Sequence, residues 1–250
     1  MSALALPQIC DENGYAGKDL EAMVFAVNYH RWILSTFEPF LGARIVEVGA
    51  GTGSFSELLL ERRLESLSLV EPSEAMYHRL CKRIEELAPP VTVKTYNDVF
   101  EKVADRIRTQ ERPDSIIYVN VLEHIADDLK ELKIISDTLE VKGRLFIFVP
   151  ALRWLYGSFD REINHFRRYT RTELEKKCGA AGFKVVSSRY FDLFGVLPWW
   201  VKYRLLQSKK MEPRAVKFYD QHVVPIAKTF ESWVDVPLGK NILLIAEKTA

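Results

Sequence analysis

From Ile45 to Phe55 the chain reads Ile45-Val46-Glu47-Val48-Gly49-Ala50-Gly51-Thr52-Gly53-Ser54-Phe55. An apolar run carrying one acid meets three glycines at alternate positions, then an amphipathic pattern begins. Glycine is needed where the backbone turns with positive φ, or where a ligand lies against the main chain with no room for a Cβ. Strand, glycine turn and helix in succession belong at the C-terminal edge of a parallel sheet, where doubly wound folds bind nucleotide-like ligands. This segment therefore restricts both the fold class and the kind of ligand.

A dinucleotide loop has the form G-x-G-x-x-G, whose third glycine lets helix and strand pack closely. Counted from Gly49, that third place is Ser54, and the glycine falls at Gly53 instead. Glu47 is also foreign to the apolar strand of a dinucleotide site. It suits a ligand bearing an ammonium or sulfonium group, or a loop braced by hydrogen bonds. The next apolar run, Leu67 to Val70, ends in Glu71-Pro72-Ser73, 22 residues after Gly49. A carboxylate there can accept from both hydroxyls of a ribose. The run Val91 to Thr95 leads to Asn97-Asp98-Val99-Phe100, and Ser115 to Val119 leads to Asn120-Val121-Leu122-Glu123-His124-Ile125. Singly, Glu71, Asp98 or Asn120 suits a helix cap equally well. Taken with Glu47 and the glycines, the ligand reading dominates.

Four such elements in this order resemble the class I S-adenosylmethionine (SAM) methyltransferases, over roughly Tyr29 to Ala246. The resemblance implies SAM as cofactor, held by Glu47, Gly49, Ala50, Gly51, Gly53, Glu71, Pro72, Asp98, Val99, Asn120 and Val121, with Asp98 accepting from the adenine amino group. It implies that Tyr29 and Arg31, just before the first strand, cover the donor or meet its carboxylate. Core packing is the other reading for Tyr29. It further implies an α/β, Rossmann-like, seven-stranded, mostly parallel sheet with helices on both faces. The last strand would return antiparallel between the fifth and the sixth.

The pattern itself gives strands at 44–48, 67–71, 91–95, 115–120, 144–149, 182–190 and 241–246. Helices are expected at 18–40, 54–63, 73–87, 98–109, 127–140 and 172–181, with a loop over 150–170. Alternation of this kind argues a parallel sheet, and Pro89-Pro90 stops the third helix. Residues 1–17 read as loose or as a lid. One domain over 1–250 is expected, with a helical cap at about 1–40 and an aromatic-rich insertion at about 191–239. The insertion carries Phe191, Phe194, Trp199, Trp200 and Tyr203, then Lys209 and Lys210. A helical subdomain packed on the sheet, a substrate lid, a dimer face and a peripheral membrane contact through 193–210 are its possible roles.

With 250 residues, 48% of them hydrophobic, the chain can bury one substantial core. A net charge of +1 gives no global attraction to nucleic acid or anionic membrane. Three scattered cysteines, Cys10, Cys81 and Cys178, disfavour a disulfide framework or zinc site and fit a reducing interior. The start of the chain is not a secretory signal, and no run approaches the roughly 18 apolar residues of a spanning helix. A cytoplasmic enzyme is the expectation.

Acceptor-side chemistry is expected after the fifth strand, in Tyr156-Gly157-Ser158-Phe159-Asp160-Arg161-Glu162-Ile163-Asn164-His165-Phe166-Arg167-Arg168-Tyr169. Histidine is the natural base near neutral pH, so His165 is the first catalytic candidate, with Asp160 as partner or alternative. Arg167 and Arg168 either grip an anionic acceptor or belong to a salt-bridged loop. The run resembles methyltransferases classed as type 11 or 12. Glu123 and His124 resemble the metal-binding pair of some quinone-ring O-methyltransferases. The acid three residues before that Glu is replaced here by Asn120, so no metal is expected, and His124 is a candidate acceptor-side residue. The Asn-Pro-Pro-aromatic signature of base and amide N-methyltransferases is absent, against a nucleic-acid substrate. The expectation is methyl transfer from SAM to a small-molecule or lipid-linked acceptor, at oxygen. The alternatives are a nicotinamide-dependent oxidoreductase and a non-catalytic SAM-binding scaffold.

Overall fold

The computed structural model describes residues 25–249. Seven strands, β1 (Arg44–Val48), β2 (Ser66–Val70), β3 (Thr92–Tyr96), β4 (Ser115–Val119), β5 (Arg144–Pro150), β6 (Phe183–Phe191) and β7 (Asn241–Lys248), form one sheet in the order β3-β2-β1-β4-β5-β7-β6. All pair in parallel except β7, which runs antiparallel to both β5 and β6. This is the sheet expected from the sequence. Strand order reverses between β1 and β4, and the crevice outside the strand ends at such a point is where doubly wound folds bind ligands.

The central strands are apolar nearly throughout because both faces are covered. Successive side chains point to opposite faces, so Ile45 and Val46 enter different cores. Val46, Ile116, Tyr118, Leu145 and Ile147 pack with Phe100, Ala104, Ile107, Leu132, Ile135 and Leu174 on one face. Ile45, Leu67, Leu69, Ile117, Phe146 and Phe148 pack with Ile33, Phe37, Leu59 and Leu80 on the other. The helices that supply these residues are α1 (Val27–Phe37), α2 (Ser54–Leu60), α3 (Glu74–Leu87), α4 (Phe100–Gln110), α5 (Asp128–Thr138) and α7 (Arg171–Ala180), while a short α6 (Ser158–Glu162) packs in a separate cluster through Phe159. Sequence placed α2 to α5 and α7, and the end of α1, within a few residues. Asp127 accepts from the Lys130 N–H and Thr170 from the Glu173 N–H, fixing two of the starts. The expected loop over 150–170 instead holds a 3₁₀ turn, Arg153–Leu155, and α6. The start of the helix expected from Lys18, and segment 1–17, lie outside the described residues.

The insertion is helical: α8 (Val196–Trp199) runs into a π-helical segment, Trp200–Leu205, and α9 (Pro213–Phe218) passes through a second, Tyr219–Val223, into α10 (Val224–Trp233). Val224 and Ala227 join the core beside α1. The Asp220 carboxylate accepts from the N–H groups of Asn28 and Tyr29 at 3.1 and 2.8 Å, capping α1 from another helix. The outer side leaves Leu197, Leu205, Leu206, Phe218, Ile226 and Trp233 exposed. Among the described residues no helix is long and apolar enough to cross a membrane.

Candidate active site

The glycine loop begins where β1 ends. The N–H groups of Gly49 and Ala50 both donate to the Val70 carbonyl at the tip of β2, at 2.8 and 3.1 Å. Gly49, Gly51 and Gly53 all have positive φ, at +72°, +57° and +82°, which only glycine adopts freely. A Cβ on Gly49 would lie 2.4 Å from a Val121 methyl, and one on Gly53 would lie 2.9 Å from the Leu80 side chain. Gly53 thus allows the close packing that a dinucleotide loop assigns to a later glycine. Beneath the loop, the buried Glu47 carboxyl accepts from the Ser56 hydroxyl at 2.6 Å, so Glu47 braces the start of α2. Burial pushes its pKa up to about 8 against that hydrogen bond, and the nearby Glu71 charge adds to the rise.

Glu71, also buried, accepts from the Gly51 N–H at 2.7 Å and the Ser73 N–H at 2.8 Å. Its carboxylate therefore ties the tip of β2 to the glycine loop. Pro72 follows at the surface. Asn97 donates to the Glu71 carbonyl at 2.9 Å, a brace between the β2 and β3 tips that sequence reasoning missed; a polar residue beside Asp98 was its only signal. Asp98 accepts from the Val99 N–H at 2.8 Å and pairs with Lys102 at 3.0 Å. These contacts outweigh its slight desolvation and hold its carboxyl below the ordinary range. Val99 is exposed beside it. Asn120 sits at φ +55°, a conformation asparagine tolerates better than most residues. It donates its N–H to Phe148 at 2.8 Å, and the next residue, Val121, is the one that meets Gly49. Gly49, Ala50, Gly51, Gly53, Glu47, Glu71, Asn120 and Val121 thus gather at the strand ends of the β1/β4 reversal, with Asp98 and Val99 after β3.

Arg31 does not join this group. It is half exposed and pairs with Glu61 at 2.7 Å. Glu61 caps the C-terminal end of α2, opposite the glycine turn. Tyr29 is buried, edge-on to Trp32, Phe148 and Phe191. Its hydroxyl lies 3.0 Å from Asp192 and 3.1 Å from Asn241, so ring and hydroxyl are both engaged at the β7–β6 side. Its ring is packed in the core.

A second cluster lies where the turn after β4 meets the segment after β5. The Phe166 N–H donates to the Glu123 carbonyl at 2.9 Å, holding the two loops together. His165 Nδ1 lies 3.0 Å from an Asp160 oxygen, and Arg168 Nε donates to that oxygen at 2.8 Å. The other Asp160 oxygen accepts from the Gly157 N–H. Burial works to raise the Asp160 carboxyl, yet the His165 hydrogen bond and the Arg168 charge outweigh it and hold it low. An ionised Asp160 at Nδ1 orients the ring so that Nε2 faces Glu123 Oε1, 3.7 Å away. Glu123 is fully buried and neither of its oxygens has a hydrogen-bond partner, nor does His165 Nε2. Burial pushes the Glu123 carboxyl up to about 7, with His165 pulling it down. The His124 ring crosses that of His165 with centroids 4.5 Å apart. Burial, with the charge of His165, lowers His124 to about 3, so it is neutral. Sequence reasoning named His165, Asp160 and His124 but not that Glu123 faces His165 from 42 positions away; no local pattern encodes that meeting.

The two arginines do not await an anion. Arg168 is buried against Asp160, the Ala151 carbonyl and the face of Trp199. Arg167 donates to the carbonyls of Ile125 and Ala126 and pairs with Asp128 at 2.8 Å. Both guanidiniums fix the loops, which is the salt-bridged alternative.

Beyond Arg168, a mostly apolar cavity of about 180 Å³ lies between α1 and the insertion, lined by Tyr29, Trp199, Tyr203, Met211, Val216 and Lys240 among others. Lys240 pairs with the buried Asp192 at 2.9 Å and lies over the rings of Tyr29 and Trp199. Trp199 Nε1 is buried in the cavity wall without a partner.

Residues 25–188 match the family model described as a methyltransferase domain. No curated protein matches the chain. Similar solved structures include the [4+2]-cyclase SpnF, at 14% identity and TM-score 0.59 over 90% of this chain and 81% of that one. A SAM-dependent methyltransferase from Archaeoglobus fulgidus is 17% identical, with TM-score 0.57 over 92% of this chain and 99% of that one. The Burkholderia thailandensis 1,6-didemethyltoxoflavin-N1-methyltransferase, solved with its substrate and S-adenosylhomocysteine, is 17% identical, with TM-score 0.59 over 94% and 83%. With two thirds of the chain inside the family model, and a glycine crevice at the reversal of a seven-stranded sheet, the chain belongs to the class I SAM-dependent methyltransferase family.

Proposed function

We propose that this chain moves the methyl group of SAM to a hydroxyl of a small, largely apolar acceptor. The observation that carries the reading is the pair of buried carboxyls, Glu47 and Glu71, beneath and beside a glycine turn at the β1/β4 reversal. Glu47, held neutral by burial, braces the turn, and Glu71 presents a carboxylate at the ribose position. The third glycine at 53, where a dinucleotide loop has it one place later, sets SAM above a nicotinamide dinucleotide. The turn fits the group, because glycine is required at 49, where a Cβ would meet Val121, and the loop therefore presents bare backbone.

When bound, SAM supplies an already activated methyl carbon. Gly49, Ala50, Gly51 and Gly53 then offer bare backbone to the donor's amino-acid end, and Glu71 accepts from the ribose hydroxyls. Asp98 and Val99 would hold the adenine, while Asn120 and Val121 would lie toward the methyl donor. Transfer of that methyl to an acceptor hydroxyl would release the hydroxyl proton, which the Glu123–His165 centre would take up. Asp160 fixes the His165 tautomer, so positioning and proton management are the protein's two tasks. The Burkholderia relative acts at nitrogen by its name; a buried histidine–carboxylate centre suits an oxygen acceptor better, because a hydroxyl must lose its proton. The cavity beside Trp199 suits an aromatic or prenyl-like body. Leu197, Leu205 and Leu206, exposed near Lys202 and Arg204, fit delivery of such a molecule from a membrane surface.

Calorimetric titration with SAM, S-adenosylhomocysteine and NADH tests the donor. Micromolar binding of the first two supports the reading, and binding of NADH alone overturns it. Methyl incorporation from labelled SAM across phenols, aliphatic alcohols and amines tests the acceptor. Exclusive labelling of amines overturns the oxygen assignment, and SAM binding with no labelled product leaves a scaffold.

A further inference from the structure

The Glu123–His165 centre has a feature that proton transfer alone does not require. A fully buried carboxylate presents two oxygens with no hydrogen-bond partner, toward a buried imidazole nitrogen that also has none. Leaving such groups unmatched in a low-dielectric interior is costly. One ligand atom each from Glu123, His124 and His165 lie within 4.8 Å of one another. Atoms sharing one ion at about 2.0–2.2 Å lie no more than about 4.4 Å apart, so side-chain shifts of a few tenths of an ångström bring all three to a single ion.

We propose that these three residues bind one divalent first-row transition cation. One carboxylate and two imidazoles form a mixed oxygen–nitrogen set that suits zinc, manganese, cobalt or iron rather than magnesium or calcium. Three protein ligands leave coordination positions open, as in catalytic rather than structural sites. The surroundings are those of a metal-binding histidine. Asp160 holds Nδ1 of His165 at 3.0 Å and is itself held by Arg168 at 2.8 Å, a carboxylate–histidine arrangement that presents Nε2 to the ion. The short turn Leu122–His124 places Glu123 and His124 side by side, and the Phe166–Glu123 backbone hydrogen bond brings His165 across to them. The sequence expectation of no metal counted ligands along one motif. The third ligand comes from the other loop, so Asn120 is not needed as an anion.

The inference rests on the methyl-transfer reading only for its consequence. An acceptor hydroxyl in an open position would lose its proton to solvent more readily, and His165 Nε2 would then act as a ligand rather than as the proton's destination.

The test is titration of the full chain, stripped with EDTA, with Co²⁺, followed by its visible d–d absorption and by calorimetry. One equivalent is expected to bind with a new visible band. His165→Asn and Glu123→Gln should each weaken binding more than about 100-fold, beyond the 10–100-fold that loss of an outer partner costs. His78→Asn, at an exposed histidine on α3, should leave binding unchanged. Absence of stoichiometric binding overturns the site, as does a band unaffected by both substitutions. SAM titration on the same samples reports folding of the variants. If SAM fails to bind the native chain the donor reading falls and the metal result stands, whereas intact SAM binding without Co²⁺ removes the metal alone.

Discussion

The N–H of Gly51 donates to Oε2 of Glu71 at 2.7 Å, joining the glycine turn after β1 to the tip of β2 through one carboxylate. The same carboxylate receives the Ser73 N–H, so it shapes the crevice before any ribose reaches it. Glu71→Ala removes both bonds and leaves two backbone donors unmatched, a loss of about 1–3 kcal/mol of stability. SAM affinity should fall at least about tenfold, the equivalent of one lost net hydrogen bond of about 1.4 kcal/mol. Glu71→Gln keeps an acceptor and should lose less of both. Calorimetry and urea unfolding of the two variants check this; equal SAM affinity in Glu71→Ala would refute the role.

Glu47 makes stability depend on pH in a known direction. Its carboxyl is raised from the ordinary 4.5 to about 8 by burial, so the folded chain binds that proton more tightly than the unfolded one. The stabilisation from this proton is complete below pH 4.5, shrinks as pH rises, and is lost above 8. Glu47→Gln keeps the shape and can still accept from Ser56, but has no proton to lose. Its stability relative to the native chain should therefore rise between pH 5 and pH 8, by on the order of 2–4 kcal/mol. Urea midpoints of both proteins at the two pH values measure the difference; a constant gap would mean that Glu47 is ionised throughout.

What the sequence disclosed follows from what is local. Strands β1, β4 and β5 and the glycine turn are legible because burial on both faces makes largely continuous apolar runs, and positive φ selects glycine at 49, 51 and 53. The parallel sheet followed from strand–helix alternation, whereas β7 between β5 and β6 came through resemblance rather than pattern. Arg31 and the arginine pair stay ambiguous in sequence for one physical reason. A charged side chain is read from its type, but its partner is set by tertiary neighbours, Glu61 for Arg31 and Asp160 for Arg168. The facing of Glu123 and His165, and the Asp192–Lys240 pair at the cavity, depend on loops packed across the sheet edge. Neither leaves a periodic trace.

Gly49 is where backbone and ligand demands coincide. Its φ of +72° penalises any side chain, and a Cβ there would sit 2.4 Å from Val121 Cγ2. Gly49→Ala should cost about 1–3 kcal/mol from backbone strain alone and abolish measurable SAM binding. Adding Val121→Ala opens space for the new methyl without relieving φ. The double variant should regain part of the stability but stay short of the native chain. Thermal melts with and without SAM separate the two contributions; full recovery would show that the clash, not φ, was the obstacle.

Asp220 tests whether the insertion is part of the folded core or an appended flap. Its two oxygens accept from the Asn28 and Tyr29 N–H groups, and it is buried with Tyr219 and Val224 beside it in the chain. These donors open α1, which has no side-chain cap of its own. Asp220→Ala should cost about 1–2 kcal/mol, as for loss of a helix cap, and Asp220→Asn, which keeps one acceptor, should cost less. Because α1 and α10 share a core through Ile33 and Ala227, unfolding should remain one cooperative transition at a lower urea midpoint. Hydrogen exchange should then show α1 amides and α10 amides losing protection together. Loss confined to α10, with α1 protected as before, would mean that the insertion hinges on the sheet without supporting it.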